Sequence, residues 1–319
     1  MDIIESLEIL FPGPLTTVQD LGRYGFGRYG VPPSGALDSF SLRVANLLAG
    51  NPESEAGLEI TLMGLKVRVL TDLVVALCGG DLQPCLNEKP FDMWCSQIAR
   101  KGDTLSLKAP RTGCRAYLAV GGGISLMPVL ASKSTNLASR FGGYEGRALR
   151  QGDILVSGAP DRHLQRAGKI FEPESRPSYT GDWVLRVLPG PQDQDFPEET
   201  KKIFYNASFK ASSLSDRTGI RLSGPTLHRK EDLGDSIISE GIAPGAIQVP
   251  GDAQPIILLV ETVTGGYRKI ATVISADLPL LGQVKPGDRV RFQEVLIEQA
   301  MMAFQESENH INMLKKNSG

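Results

Sequence analysis

The chain has 319 residues, with Lys+Arg 34 against Asp+Glu 36 and a formal charge of −2. That balance offers no broad basic face to neutralise a polynucleotide backbone, so nucleic acid is excluded as a main partner. Gly 35 and Pro 21 break the chain too often for a helical bundle or repeat solenoid, and the expected object is a turn-rich, mainly β protein.

Taken from the start, residues 1–5 are acidic and reach Pro12 and Gly13 before any apolar segment forms, so no signal peptide is expected and the cytoplasm is the expected compartment. The densest apolar stretches fall far short of the about 20 residues that span a bilayer. Leu37, Phe40, Val44, Leu47 and Leu48 recur at helical spacing, and Gly50-Asn51-Pro52 stops that helix. Leu58-Glu59-Ile60-Thr61-Leu62 alternates as a half-buried strand should. Leu73-Val74-Val75-Ala76-Leu77 reads as a strand buried on both faces. A Gly-Asp step precedes an alternating apolar segment three times, at Gly102-Asp103, Gly152-Asp153 and Gly287-Asp288, and each reads as a turn entering a strand. A second helix starts near Pro197. A third uses Ile297, Met301 and Phe304 and ends in the polar tail 315–319, which is expected to fray.

The polar, proline-containing stretch 161–179 is the best linker candidate. Leu10-Phe11-Pro12-Gly13-Pro14 before it is echoed by Val187-Leu188-Pro189-Gly190-Pro191 after it, which suggests two related β domains. The expected boundaries are 1–165 for an N-terminal domain, 166–180 for the linker, 181–300 for a C-terminal domain and 301–319 for a helical or frayed tail. Four cysteines (Cys78, Cys85, Cys95, Cys114) form no C-x-x-C pair, and only three histidines occur, so no metal site is expected.

Gly25-Phe26-Gly27-Arg28-Tyr29-Gly30 fits the letters of a dinucleotide fingerprint. It lacks the preceding strand, and Val31-Pro32-Pro33 follows where the helix would open, so it is set aside. The loop that holds it, from Thr16 to Asp38, is long for a compact chain, and such loops tend to be functional. Arg23 and Arg28 stand among glycines, where backbone N–H groups and a guanidinium can meet an anion, with a capping Asp38 and solvated arginines as the alternative. Asp38 and Asn46, eight residues apart on the first helix, project within about 80° of each other. Farther on, Ala246-Ile247-Gln248-Val249 and the run 255–260 read as a hairpin whose ends bring Glu240 close to Thr264-Gly265-Gly266, a setting for a small polar ligand.

These stretches carry a family resemblance. Thr16-Thr17-Val18-Gln19-Asp20-Leu21-Gly22-Arg23, then Gly30-Val31-Pro32-Pro33-Ser34-Gly35-Ala36-Leu37-Asp38, resembles the opening of the KipA-like family, which comprises the C subunits of 5-oxoprolinase and is also called allophanate hydrolase subunit 2 or the biotin-dependent carboxyltransferase family. Ala45-Asn46, Leu58-Glu59, Gly121-Gly122-Gly123, Ser132 with Ser134-Thr135, and Asp216-Arg217-Thr218-Gly219 match in the same order. So do Ser239-Glu240-Gly241, Pro244-Gly245-Ala246-Ile247-Gln248-Val249-Pro250 and Thr264-Gly265-Gly266-Tyr267. One departure is Arg268, where the family has proline after Gly-Gly-Tyr, and it puts the rigidity of that turn in doubt.

The resemblance implies two tandem cyclophilin-like β-barrel domains with a few short helices. It implies one component of an ATP-dependent 5-oxoprolinase that opens the lactam of 5-oxo-L-proline to L-glutamate. The partners implied are a KipI-like protein, which is the B subunit of 5-oxoprolinase, and a third component, its A subunit; the assembly uses the ATP. Two alternatives stay open: a carboxyltransferase component acting on urea or another amide with a separate biotin carrier, and a regulatory module that antagonises a KipI-like kinase inhibitor. Under the first reading Asp20, Asp38 and Glu240 are the expected catalytic carboxylates. Arg23 and Arg217 are expected to bind anionic groups, with Ser34, Asn46, Gln248, Thr264 and Tyr267 as further substrate contacts, because an unreactive amide needs its carbonyl polarised.

Overall fold

The computed structural model describes residues 3–316. The first two residues and the end 317–319, part of the tail expected to fray, lie outside them. Two compact units emerge, one of Met1–Arg23, Ser34–Tyr179 and Asn309–Gly319, the other of Tyr24–Pro33 and Thr180–Glu308.

Among the described residues the first unit holds eleven strands: β1 (Ile3–Pro12), β2 (Leu15–Gln19), β3 (Gly57–Thr61), β4 (Leu65–Val69), β5 (Leu73–Gly79), β6 (Cys85–Leu86), β7 (Lys89–Pro90), β8 (Cys95–Ala99), β9 (Thr104–Ser106), β10 (Arg115–Val120) and β11 (Ile154–Gly158). They form a six-stranded sheet, β11-β1-β4-β9-β6-β7, and a five-stranded one, β2-β3-β10-β5-β8. Alternate residues of both sheets, among them Leu7, Ile9, Leu58, Ile60, Val67, Val75, Leu77, Leu118 and Leu155, form one core. Each such side chain contributes roughly 1.5–3 kcal/mol by leaving water.

Strand β5 is apolar throughout because both of its faces are covered. Leu73, Val75 and Leu77 enter the core, while α1 (Ser39–Ala49) packs on the sheet over β5 and β10. The helix forms where the apolar spacing predicts it. Asp38 caps its start, accepting from the Ser41 N–H at 2.9 Å, and Gly50 ends it in a left-handed conformation.

The second unit is a closed seven-stranded barrel. Its strands are β12 (Asp182–Pro189), β13 (Phe209–Ala211), β14 (Gly219–Ser223), β16 (Ala246–Val249), β17 (Ile256–Leu258), β19 (Arg268–Val273) and β20 (Arg289–Glu294). The short strands β15 (Glu240–Gly241) and β18 (Thr264–Gly265) pair beside them. Ring closure comes from β20 lying parallel to β12. Helix α2 (Glu198–Asn206) starts directly after Pro197 and stacks Phe204 on Phe292, 4.5 Å between ring centroids.

The three Gly-Asp steps lead into β9, β11 and β20. In each, glycine takes a φ near +90° and the Asp carboxylate accepts from the backbone N–H three residues earlier, at 2.8, 2.7 and 3.1 Å. The two Pro-Gly-Pro echoes also share a cause. A Cβ on Gly13 would strike the Met63 carbonyl, and one on Gly190 the Lys269 carbonyl, so both positions need a residue without one.

The mainly β expectation therefore holds, with one closed barrel and one pair of sheets around a common core. The stretch 166–180 is not bare: Ile170 forms a bridge with Cys95, and Tyr179 is buried. After the four-residue α3 (Leu278–Leu281) and β20 comes α4 (Ile297–Lys316). Its expected apolar stripe proves inverted. Ile297, Met301 and Phe304 stand exposed, while Ala300 and Ala303 lie against Ile274, because small residues let the helix axis approach closely. Lys315, placed in the fraying tail by its polarity, is helical and pairs with Glu53 at 2.8 Å.

Candidate functional site

In the first unit, strand register explains a buried polar row. Glu59 of β3 lies directly between Thr17 of β2 and Tyr117 of β10, and Tyr117 is paired in turn with Cys78 of β5. These side chains alternate with the core residues and so point at the helix-covered face. Glu59 accepts from the Leu37 N–H at 2.9 Å and the Tyr117 hydroxyl at 2.8 Å, and Tyr117 accepts from the Asp38 N–H at 2.8 Å. Burial, then the nearby Glu59 and Asp38 carboxylates, pushes the Tyr117 hydroxyl well above the ordinary tyrosine range, so it stays a donor. Burial and then Asp38 do the same to Tyr179.

Asp38, expected as a catalytic carboxylate, has both oxygens occupied. One holds the Ser41 N–H, and the other accepts from Ser41 Oγ at 2.7 Å and the Tyr179 hydroxyl at 3.2 Å. Asn46, expected at the substrate, is fully buried and ties α1 to the following loop through its Nδ2 to the Glu55 carbonyl, 2.6 Å, and through its Oδ1, which accepts from Asn51 at 3.1 Å.

Asp20 and Arg23 organise a second buried cluster around residues 129–136. Asp20 accepts from the Gly22 N–H at 2.8 Å, Ser132 Oγ at 2.7 Å, the Lys133 N–H at 2.6 Å and Ser134 Oγ. Arg23 donates to the Ser134 and Val129 carbonyls, and its guanidinium lies 4.7 Å from the Phe141 ring centre. The segment so held is a two-residue hairpin in which Val129 bridges Ser132 and both Leu130 and Ala131 take positive φ, 53° and 61°. Asn or Gly normally occupy such a turn. Buried Ser34 joins the cluster by accepting from Asn136 Nδ2 at 3.0 Å.

In the second unit the glycine-rich ends of the hairpin system meet as the sequence predicts, Glu240 of β15 pairing with Gly265 of β18. Beyond them stands a lysine that the motifs do not single out. Lys269 is 4% exposed, and its Nζ ion-pairs with Glu240, whose side chain keeps 44% of its surface in solvent. Gln192 completes the group, donating to Glu240 at 2.8 Å and accepting from the Lys269 N–H at 3.1 Å. The Lys269 bond, then the Gln192 bond, holds the Glu240 carboxyl below the usual glutamate range. A Cβ on Gly265 would meet the ends of the Ile242 and Gln248 side chains, and Gln248 Nε2 donates to the Tyr267 carbonyl at 3.2 Å. Thr264 and Tyr267 present exposed side chains on the same segment.

Arg217, expected at an anion, is buried beside Glu261 with Nε 2.7 Å from its carboxylate, and both side chains are 3% exposed. Arg268 does the work that proline was expected to do. It pairs with Asp195 at 2.7 Å and donates to the Gly234 carbonyl at 2.6 Å, so the turn is tied by side-chain bonds rather than by a ring.

The structure thus gathers Asp20, Arg23 and Ser34 in one cluster, and Glu240 and Gln248 with the segment that carries Tyr267 in another, while Thr264, opposed to Gly241, faces away from Glu240. Asp38, Asn46 and Arg217 are held in bonds of their own. Sequence reasoning missed Lys269, Gln192 and Glu261; the Pro-Gly-Pro echo preceding Gln192 was the one available signal. Among the described residues no group of three or more His, Cys, Asp or Glu side chains is placed to hold a metal, and no helix is long and apolar enough to cross a membrane. All four cysteines are free and buried.

Known proteins share this architecture. The family model described as carboxyltransferase domain, subdomain A and B, matches residues 29–294. The chain is 38% identical over 309 residues to the C subunit of 5-oxoprolinase from Escherichia coli (strain K12), covering 97% of each chain. It is 35% identical to the corresponding 5-oxoprolinase C subunit of Haemophilus influenzae, covering 97% of this chain and 98% of that one. Among solved structures, the K. lactis urea amidolyase superposes with a TM-score of 0.91 at 33% identity; the match covers 98% of this chain and only 20% of that one. On the extent of these matches, the chain belongs to the family of carboxyltransferase domains built from subdomains A and B.

Proposed function

We propose that this chain is the C subunit of an ATP-dependent 5-oxoprolinase, opening the lactam of 5-oxo-L-proline to L-glutamate with a KipI-like partner and a third component, in the cytoplasm. The observation that carries this reading is the match across 97% of both chains to a protein named as that component of 5-oxoprolinase. ATP belongs to the assembly. Within this chain Arg23 and Arg217 are already bonded to backbone carbonyls and to Glu261, which supports framing roles for both and leaves phosphoryl transfer to the partners.

The chemistry assigned to this chain rests on Glu240 and Lys269. A lactam presents an N–H donor and a carbonyl acceptor on one edge. The half-open Glu240 carboxylate, kept ionised by Lys269, suits the N–H, while Thr264, opposed to Gly241, falls on the other face of the two-strand ribbon. Asp20 and Asp38, saturated by hydroxyl and backbone donors, are assigned to holding the loops that carry this family's motifs.

A second reading is carboxyl transfer to urea or another amide from a separate biotin carrier, which the 0.91 superposition on urea amidolyase favours. Purifying the chain with its partner subunits and measuring glutamate release from 5-oxoproline with ATP separates the two. Release that needs all the components is the expected result. No release, with carboxyl transfer from carboxybiotin instead, would overturn it. Tight binding of a KipI-like protein without either turnover would leave the regulatory module.

A further inference from the structure

The barrel of the second unit carries two cations where sheet energetics disfavour them. Lys210 of β13 lies directly opposite Arg289 of β20, and on its other side directly opposite Ser223 of β14. Their neighbours Phe209 and Val290, also an opposed pair, are fully buried in the barrel, so Arg289, Lys210 and Ser223 form a row on its outer face. Like charges at opposed positions are destabilising.

No carboxylate among the described residues forms an ion pair with either cation, none lying within 4 Å of Lys210 Nζ or the Arg289 guanidinium. Asp182, which opposes Arg289 on β12, is bonded to Arg291 at 3.2 Å. Asp288, next in the chain, is buried and taken by Lys285 at 2.9 Å and by the Trp183 Nε1–H at 2.9 Å. The row also lines a concavity of about 410 Å³, shared with Ser208, Phe209 and the turn residue Gly287. That volume lies within the about 300–1,000 Å³ of small-molecule sites.

We propose that this concavity is a binding site for a phosphorylated small molecule, with Lys210 and Arg289 on the phosphoryl oxygens and the Ser208 and Ser223 hydroxyls as further donors. Two cations of which one is a planar, forked guanidinium, together with two hydroxyls, match a group that carries close to two negative charges and three strong acceptor oxygens. A carboxylate would satisfy only part of that set. Ser223 Oγ donates at 3.3 Å to the Lys210 carbonyl, a long bond that an oxyanion would replace readily. The site lies on strands that the proposed lactam chemistry does not use, so it stands or falls independently of the 5-oxoprolinase assignment.

The test is calorimetric titration of the intact chain at low ionic strength with ribose 5-phosphate, inorganic phosphate and succinate. Ribose 5-phosphate is expected to bind at least tenfold more tightly than succinate. Inorganic phosphate matching it would place recognition in the phosphoryl group alone and equally support the site. Lys210→Ala and Arg289→Ala should each weaken binding about tenfold, Lys210→Arg should retain it, and thermal melting without ligand should be unchanged or raised, since a repulsion is removed. Undetectable binding of both phosphates, equal binding of succinate, or undiminished affinity in the Lys210→Ala/Arg289→Ala variant would overturn the proposal.

Discussion

Two polar clusters built from the same residue types behave in opposite ways. Around Asp20 every carboxylate valence is met by Gly22, Ser132, Lys133 and Ser134, and the product is a fixed loop. Around Glu240 the carboxylate is held from one side by Lys269 and Gln192 while much of it faces water. An acidic residue in a family motif is therefore no guide to chemistry until its partners are counted. A saturated carboxylate frames, and a half-held one can still bind.

The sharpest way to break this contrast is Asp20→Ala. It leaves two hydroxyls and two backbone N–H groups of a buried segment without their acceptor, and each such group costs about 1–3 kcal/mol. A loss of at least about 3 kcal/mol in urea unfolding is expected on that scale, together with release of the strained Leu130–Ala131 turn. If Asp20→Ala unfolds like the parent and only turnover falls, the framing role is wrong. Glu240→Gln should do the reverse. Its unfolding midpoint is expected to match the parent's, as at most exposed sites, while reconstituted 5-oxoproline turnover falls about 100-fold, the scale of losing one group aimed at the reacting amide.

Arg268→Ala sharpens the comparison on a smaller scale. Loss of the bonds to Asp195 and Gly234 is expected to cost about 1.5–3 kcal/mol, the range for hydrogen bonds to charged groups. Amide exchange should then quicken at 264–268 while the first unit keeps its protection. Equal protection in the variant would show the turn to be rigid without the side chain.

How far the sequence could be read follows from which interactions are local. Helix α1, the three Gly-Asp turns and the β16–β17 hairpin were legible because each is written within a few residues: an Asp cap with a Gly stop, a positive-φ glycine beside a carboxylate, a proline-glycine turn. The register that sets Glu59 beside Tyr117, or Lys210 beside Arg289, joins residues tens of positions apart, and no spacing rule reports it. The α4 stripe misled for a related reason. Ile297, Met301 and Phe304 have the right period, but two alanines gave the closer packing surface, and period alone does not choose between faces.

The smallest expected effect concerns acid. Glu240 titrates below its ordinary range because Lys269, and after it Gln192, favours the ionised form. With the folded pKa depressed, the contribution of the pair to stability is present above the unfolded value and fades as the pH falls through the folded one. The same descent removes the acceptor assigned to the lactam N–H, so turnover should fail on the acid side at a pH lower than an unperturbed glutamate would give. Lys269→Met withdraws the first of the two causes and should move the Glu240 midpoint, followed by carboxyl-carbon NMR, back upward. A Glu240 midpoint that ignores Lys269→Met would mean that the ion pair does not govern this carboxylate, and the distinction between a half-held and a saturated site would lose its electrostatic basis.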